Sequence, residues 1–157
     1  MSVLSWFIWL SKSPVGEVMQ KSTWGFAVVE IVHLLALAAL GGTVLIMDLK
    51  LLGVIFKHQQ VSRIARDLNP IFLGSLVFMV LSGVMLVSEE ALKCYYNPAF
   101  RLKMLLLFLA IVFYFTLHRK ALRISQDHPS WGSRAAAAIS LALWLSIGLA
   151  GRAIGLI

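Results

Sequence analysis

The sequence is poor in charged residues, and acidic residues are especially scarce. Only 13% of its 157 residues are charged, with 7 acidic residues against 14 lysines and arginines. Hydrophobic residues make up 60% of the chain, and the mean hydropathy is +0.88. A soluble domain of this size could not bury so much apolar surface. The composition therefore excludes an ordinary soluble domain and predicts an integral membrane protein.

Several signals of other protein classes are also missing. The single cysteine, Cys94, excludes an intramolecular disulfide and any metal site built on two thiols. The chain has no nucleophile elbow, no zinc-hydrolase motif and no phosphate loop, which argues against an ordinary hydrolase. Its net charge of +7 lies mostly in short segments between apolar runs. That placement indicates contact with membrane lipid headgroups and no nucleic-acid partner.

Four apolar runs are long enough to cross a hydrocarbon core of about 30 Å as helices. They cover approximately residues 26–47, 71–87, 99–117 and 135–157. We therefore predict an all-α fold, with residues 1–157 forming a single transmembrane bundle of four helices. Residues 2–10 are too short to span, but they contain Trp6 and Trp9 and are typical of an interfacial helix.

Asparagine–proline pairs precede two of the predicted spans. Asn69-Pro70 and Asn97-Pro98 each suggest an N-cap followed by a proline in the first helical turn. The segment 48–68 is predicted to extend the first helix and then form an amphipathic turn on the membrane surface. The helical spacing of its apolar residues supports this interpretation: Val61, Ile64, Ala65 and Leu68.

Basic residues are unequally distributed between the two membrane faces. The segments after spans one and three carry eight: Lys50, Lys57, Arg63, Arg66, Arg119, Lys120, Arg123 and Arg134. The face that carries both termini has five, with Arg152 close to it: Lys12, Lys21, Lys93, Arg101 and Lys103. The positive-inside rule then places the first face in the cytoplasm and both termini outside. We call these the loop face and the terminus face.

Ionisable residues within the apolar runs gather towards the terminus face. Glu30, Arg101, Lys103 and Arg152 fall within its outer third, and His33 lies roughly 13 Å deep by helical rise. Such residues are costly in lipid and normally face the bundle interior in pairs. One interpretation is a polar site with His33 as a metal ligand and the three cations binding an anion. Another is that Glu30 and Arg152 neutralise each other while Arg101 and Lys103 reach the headgroups.

Imidazole is the commonest side chain for haem iron, so His33 is a candidate haem b ligand. His118 is the other histidine within or beside a span, but its depth differs from that of His33 by roughly 15 Å. One iron cannot bind both. One haem on His33, two haems, or no haem all remain open.

Two stretches of the chain are similar to parts of known families. The run from His33 to Gly42, continuing to Lys50, resembles the first helix of several small bacterial membrane families. The run from Asn97 to Lys103, and on to Arg119, resembles their later lysine-headed helix. These families are the copper-resistance D-like proteins, the HemJ-type protoporphyrinogen oxidases and an uncharacterised four-helix relative. The resemblance implies a bacterial inner membrane location, haem b on His33 and a functional role for Lys103.

We therefore expect a membrane redox protein that exchanges electrons with quinone or a partner protein. Its haem b would be held by His33, with the propionates met by Arg101, Lys103 or Arg152. The alternatives are a non-catalytic accessory subunit, a HemJ-like porphyrinogen oxidase and a proton-coupled carrier using Glu30 and His33. The spacing of Gly151 and Gly155 also allows a homo-oligomer.

Overall fold

The computed structural model describes residues 3–56, 58–124 and 130–154, without the side chains of residues 123 and 124. Every secondary-structure element in these ranges is a helix. The elements are α1 (Val3–Ser11), α2 (Pro14–Lys21), α3 (Thr23–Leu51), α4 (Val61–Glu89), α5 (Ala91–Tyr96), α6 (Pro98–Phe113), a π-helical turn (Tyr114–His118), α7 (Arg119–Ile124) and α8 (Trp131–Ile154). The all-α prediction is confirmed.

Four of the helical stretches are long and apolar enough to cross a membrane. They are Thr23–Leu51, Val61–Glu89, Pro98–Leu122 and Trp131–Ile154. Large apolar side chains cover their outer surfaces; Leu35, Phe108 and Leu149 are each more than 60% exposed. Such a surface is stable against hydrocarbon and would aggregate in water. The chain is an integral membrane protein built as a four-helix bundle.

The four spanning helices are arranged so that α8 lies between α3 and α6, while α4 packs along the other side of α3. The buried core lies mainly towards the loop face. Leu40, Val44 and Met47 of α3 meet Phe72 and Leu76 of α4 there. The terminus-face end of the bundle has the three short helices instead, with α1 packed on α5 and α2 on α4.

The second predicted cap is confirmed and the first is wrong. Asn97 begins α6, and its Oδ1 accepts hydrogen bonds from the backbone N–H groups of Ala99 and Phe100. Asn69 does not begin a helix, because α4 starts at Val61 and continues through Pro70. The side chain of Asn69 is instead used in a tertiary hydrogen bond with Tyr114.

The amphipathic spacing after residue 60 does mark a helix, but that helix is the first part of α4. The prediction of a separate surface turn is therefore corrected. Val61 is buried, and Ile64 and Ala65 are half-buried. Before it, the turn that follows α3 is held by Lys50, whose Nζ donates to the carbonyl of Phe56 at 2.5 Å. Lys50 is buried, so it is a structural residue as well as one of the loop-face cations.

The predicted interfacial helix is present as α1. Phe7 is buried between Tyr95 and Phe100, with ring centroids 5.5 and 6.2 Å away, while Trp9 is exposed. The helix therefore has one face on the bundle and one free for the membrane interface. Ser13 caps the following helix by accepting from the N–H of Gly16.

Gly16 should be essential to the corner between α1 and α2, because a Cβ there would lie 2.6 Å from the carbonyl oxygen of Ser11. The Gly16→Ala change should displace α1 and cost about 1–3 kcal/mol of unfolding free energy. Thermal unfolding in detergent, followed by circular dichroism, measures this. Gly41→Ala is the control, since apart from the adjoining backbone of its own helix nothing lies within 4 Å of a Cβ at that position. Equal melting temperatures for the two variants would contradict the close packing of this corner.

Candidate functional site

His33 lies on α3 at the terminus-face end of the bundle, and its ring is held by α4. Its Nδ1 is 2.8 Å from the hydroxyl oxygen of Ser82. That hydroxyl donates its single proton to the carbonyl of Phe78 at 2.6 Å. With that proton donated to Phe78, the Ser82 oxygen is left to accept, an arrangement that favours the tautomer of His33 with its proton on Nδ1. His33 also forms a hydrogen bond with the backbone of Met79 on the same helix as Ser82. In the neutral ring with its proton on Nδ1, the lone pair is on Nε2.

The other spanning helices contribute to the surroundings of His33. Lys103 of α6 interacts electrostatically with the ring. Its aliphatic stem packs against Gly151 of α8. A Cβ built on Gly151 would lie 3.5 Å from Cε of Lys103, which is van der Waals contact. Gly83 of α4 lies beside the ring, with its missing Cβ position 3.4 Å from Cε1 of His33. All four spanning helices thus meet around one imidazole and one ammonium group; we call His33, Ser82, Gly83, Lys103 and Gly151 the His33 site.

The remaining terminus-face residues are more peripheral. Arg101 is exposed; its Nε donates to the carbonyl of Tyr95 at 3.0 Å, and its guanidinium lies 5.2 Å from the centre of that ring. Arg152 is also exposed. The predicted Glu30–Arg152 pair does not form. Glu30 is exposed and forms no ion pair with a described residue; its carboxylate is near enough to that of Glu89, at the end of α4, for the two like charges to repel. Helical rise gave the two residues similar depth, but depth does not determine the direction in which each side chain points.

The one cysteine lies beside this site, on the short helix α5. Cys94 is half-buried, and it interacts electrostatically with Lys103. Burial raises the pKa of the Cys94 thiol, with nearby Glu90 acting in the same direction. The thiol is therefore protonated at neutral pH and contributes no charge that would neutralise Lys103.

A second polar group, not predicted from the sequence, lies near the loop face. His118 and Asp48 are both fully buried, and Nε2 of His118 is 2.5 Å from Oδ1 of Asp48. The bond joins the π-helical turn to α3. Ser140 of α8, also buried, is close enough to interact with the same carboxyl group. Since Nε2 is engaged with Asp48, only Nδ1 of this predicted haem ligand is left for another partner.

Aromatic stacking surrounds the pair. The His118 ring lies on Tyr114 with centroids 5.4 Å apart, and Tyr114 stacks on Phe72 of α4 at 3.9 Å. The Tyr114 hydroxyl donates to Oδ1 of Asn69 at 3.0 Å. The π-helical turn brings Tyr114 and His118 into this stack, with the N–H of Arg119 bonded to the carbonyl of Tyr114. Such turns often occur at functional positions in helices.

Each partner of the buried pair keeps one atom without a hydrogen bond. These are Oδ2 of Asp48 and Nδ1 of His118, considered against the described part of the chain. A buried polar atom of this kind normally has a structural or chemical reason. The sequence does contain a signal for Asp48, namely an acidic residue at the end of an apolar run. Asp48 lies in the segment that the sequence predicts to extend the first helix, but its partner His118 is 70 residues away, so no local pattern indicates the pair.

Neither histidine belongs to a larger set of metal ligands. Among residues 3–56, 58–124 and 130–154, no group of three or more His, Cys, Asp and Glu side chains could hold a metal ion. His58 is exposed on the loop after α3, and His128 lies outside the described residues. A haem iron needs only one or two protein ligands, so this finding leaves the His33 site as a candidate.

The buried pair should contribute strongly to stability. Asp48→Ala leaves His118 buried with an unpaired nitrogen, and we expect a loss of about 3–5 kcal/mol of unfolding free energy. The double variant Asp48→Leu/His118→Leu removes both polar groups and should lose less than the sum of the Asp48→Leu and His118→Leu single variants. Denaturant unfolding in detergent measures these differences. The control is Asp67→Ala, which removes an exposed acid on α4 and should have a small effect on stability. An equally small effect of Asp48→Ala would contradict the stabilising role of the buried pair.

Comparison with known proteins covers nearly the whole chain. Residues 6–157 match a family of unknown function, DUF6644. No curated protein and no solved structure matches the chain. Because the match includes all four spanning helices and both histidine sites, the chain belongs to the DUF6644 family.

Proposed function

We propose that this protein is a membrane redox protein that binds haem b through Nε2 of His33 and exchanges electrons with quinone or a partner protein. The observation that carries the proposal is the contact between Nδ1 of His33 and the Ser82 hydroxyl, which itself donates to Phe78. This arrangement favours a proton on Nδ1 and a lone pair on Nε2. A histidine that binds a metal usually donates its other ring N–H in this way.

The surroundings of His33 fit a haem in two further respects. Gly83 has no side chain that would fill the space beside the imidazole ring. Lys103 supplies a half-buried ammonium group close to the ring, and it has no hydrogen bond or ion pair with any described residue. An ammonium group suits the carboxylate of a haem propionate. Arg101 and Arg152 are exposed at the same end and would contact the outer propionate or the headgroups.

The iron would supply a one-electron couple, and the residues of the chain would determine how the group is held. Ser82 orients the imidazole, Lys103 balances propionate charge, and the apolar helices limit the access of water. His118 has no part in this site, because its Nε2 is bonded to Asp48 near the opposite face. The excess of basic residues on the loop face supports a bacterial inner membrane protein with periplasmic termini. The electron partner would then bind from the periplasmic side or from the outer leaflet.

A non-catalytic accessory subunit is the second candidate. It is favoured by the exposure of the third span, since only 11% of its most apolar window is buried within the chain. A partner subunit or a second copy could cover that surface, although lipid would do so equally well. In this case His33 and Lys103 would serve to pack the helices, and His33→Ala would leave the activity of the associated complex unchanged.

Absorption spectroscopy separates the two candidates. Protein purified in detergent after haem-supplemented expression should show a Soret band, and His33→Ala should abolish it because the axial ligand is lost. Ser82→Ala should retain the ligand but weaken haem binding by about 10–100-fold, since the ring is no longer oriented.

His58→Ala is the matched control, because His58 is an exposed histidine on the opposite face. Its spectrum should equal that of the wild type, and circular dichroism should show that all variants remain helical. A wild-type protein without a Soret band would overturn the haem proposal and favour the accessory role.

A further inference from the structure

A cavity of about 330 Å³ opens near the loop face, between the start of α4 and the end of the third span. From α4 it is lined by Ser62, Ala65, Arg66 and Asn69, and from the third span by Tyr114, Arg119 and Leu122. It lies at the opposite end of the bundle from the His33 site. We call it the Arg66–Arg119 cavity.

The cavity is positively charged and has no internal counter-charge. Arg66 and Arg119 line it from two different helices, and none of its described lining residues is acidic. Neither arginine forms an ion pair with a described residue. The nearby carboxyl group of Asp48 is already bonded to His118. Two arginines that line one cavity without an acidic residue make it a favourable place for an anion.

A neighbouring cavity shows the contrast. It has a volume of about 370 Å³, and its lining includes Arg63 and Asp67, together with His58. A cation and an anion thus line that cavity together, so their charges balance. The two cavities lie on the same stretch of α4 and differ in whether an acid is present. Position at the membrane surface alone therefore does not explain the charge of the Arg66–Arg119 cavity.

Hydrogen-bond donors in the cavity are held in place by the fold. Oδ1 of Asn69 accepts from the Tyr114 hydroxyl, so the Asn69 amide group keeps its two N–H donors for another partner. Tyr114 is buried and fixed by its stack on Phe72. The guanidinium of Arg119 lies 5.7 Å from the centre of the Phe115 ring, which holds it near the cavity. Ser62 adds a hydroxyl group to the lining.

We propose that the Arg66–Arg119 cavity is a binding site for a phosphate group. Two guanidinium groups on separate helices, an amide and a hydroxyl offer more donors than the two oxygens of a carboxylate can accept. A phosphate group has three or four oxygens and forms bidentate bonds with arginine. The position near the loop face allows two sources of this group, the headgroup of an anionic phospholipid or a free phosphate compound.

The site is independent of the proposed haem. None of its residues touches the His33 site, and its occupation requires no electron transfer. A haem-free protein could still bind phosphate here, and a haem protein could fail to do so. Phosphate binding would tie the start of α4 to the end of the third span and so stabilise the loop face of the bundle.

The test uses the whole protein and two probes. In the first arm, the protein is reconstituted in nanodiscs of phosphatidylcholine and phosphatidylglycerol, and retained lipid is counted by native mass spectrometry. In the second arm, delipidated protein in neutral detergent is titrated with inorganic phosphate at constant ionic strength, and thermal unfolding is followed. The key variant is Arg66→Gln/Arg119→Gln. The control is Arg63→Gln/Arg134→Gln, which removes the same charge from exposed loop-face positions outside the cavity lining.

Wild type and the control should retain phosphatidylglycerol or be stabilised by phosphate, while the key variant should lose at least about tenfold in affinity. Tyr114→Phe keeps the stacked ring but releases Asn69, and we expect a smaller loss. Retention of phosphatidylglycerol without a phosphate effect would identify a lipid headgroup as the ligand. Stabilisation by phosphate would identify a free phosphate compound. Equal behaviour of the key variant and the control in both arms would overturn the proposal.

Discussion

The hydrogen bond between Asp48 and His118 is the interaction on which the packing of this bundle depends. It joins α3 to the π-helical turn of the third span, at a position where both side chains are fully buried. Two such groups could not be left unpaired near the membrane interior without a large loss of stability. The pair therefore fixes the rotation of α3 relative to the third span. The stack of His118, Tyr114 and Phe72 then brings α4 into the same arrangement.

This arrangement makes the two ends of the bundle chemically different. Near the loop face, the imidazole of His118 is enclosed and bonded to a carboxyl group, and the polar side chains around it hold helices together. Near the terminus face, the imidazole of His33 is half-buried and bonded to a neutral hydroxyl, so Nε2 is available. A ligand can reach His33 without breaking a hydrogen bond between two fully buried side chains such as that of His118 with Asp48. The tightly packed end thus provides the scaffold, and the more open end provides the group suited to a cofactor.

Several parts of the structure follow from local sequence patterns. The apolar runs identify four spanning helices, and Asn97-Pro98 marks the start of the third because capping involves only adjacent residues. The similar depths of His33 and Lys103 also follow from helical rise, and in the structure the two groups interact electrostatically although α8 lies between their helices. Asn69-Pro70 has the same local pattern as Asn97-Pro98, yet α4 passes through it. The difference arises because Tyr114, distant in sequence, engages Asn69.

The sequence alone determined the membrane setting, the helix count and the polar residues available near each face, since hydropathy and helical rise depend only on the order of residues. Only the tertiary structure decided which of those residues meet. It joined Asp48 to His118, left Glu30 and Arg152 without an ion pair between them, and brought Arg66 and Arg119 to the lining of one cavity. These outcomes depend on the rotation of each helix about its own axis. That rotation is set by packing between helices that are far apart in the chain.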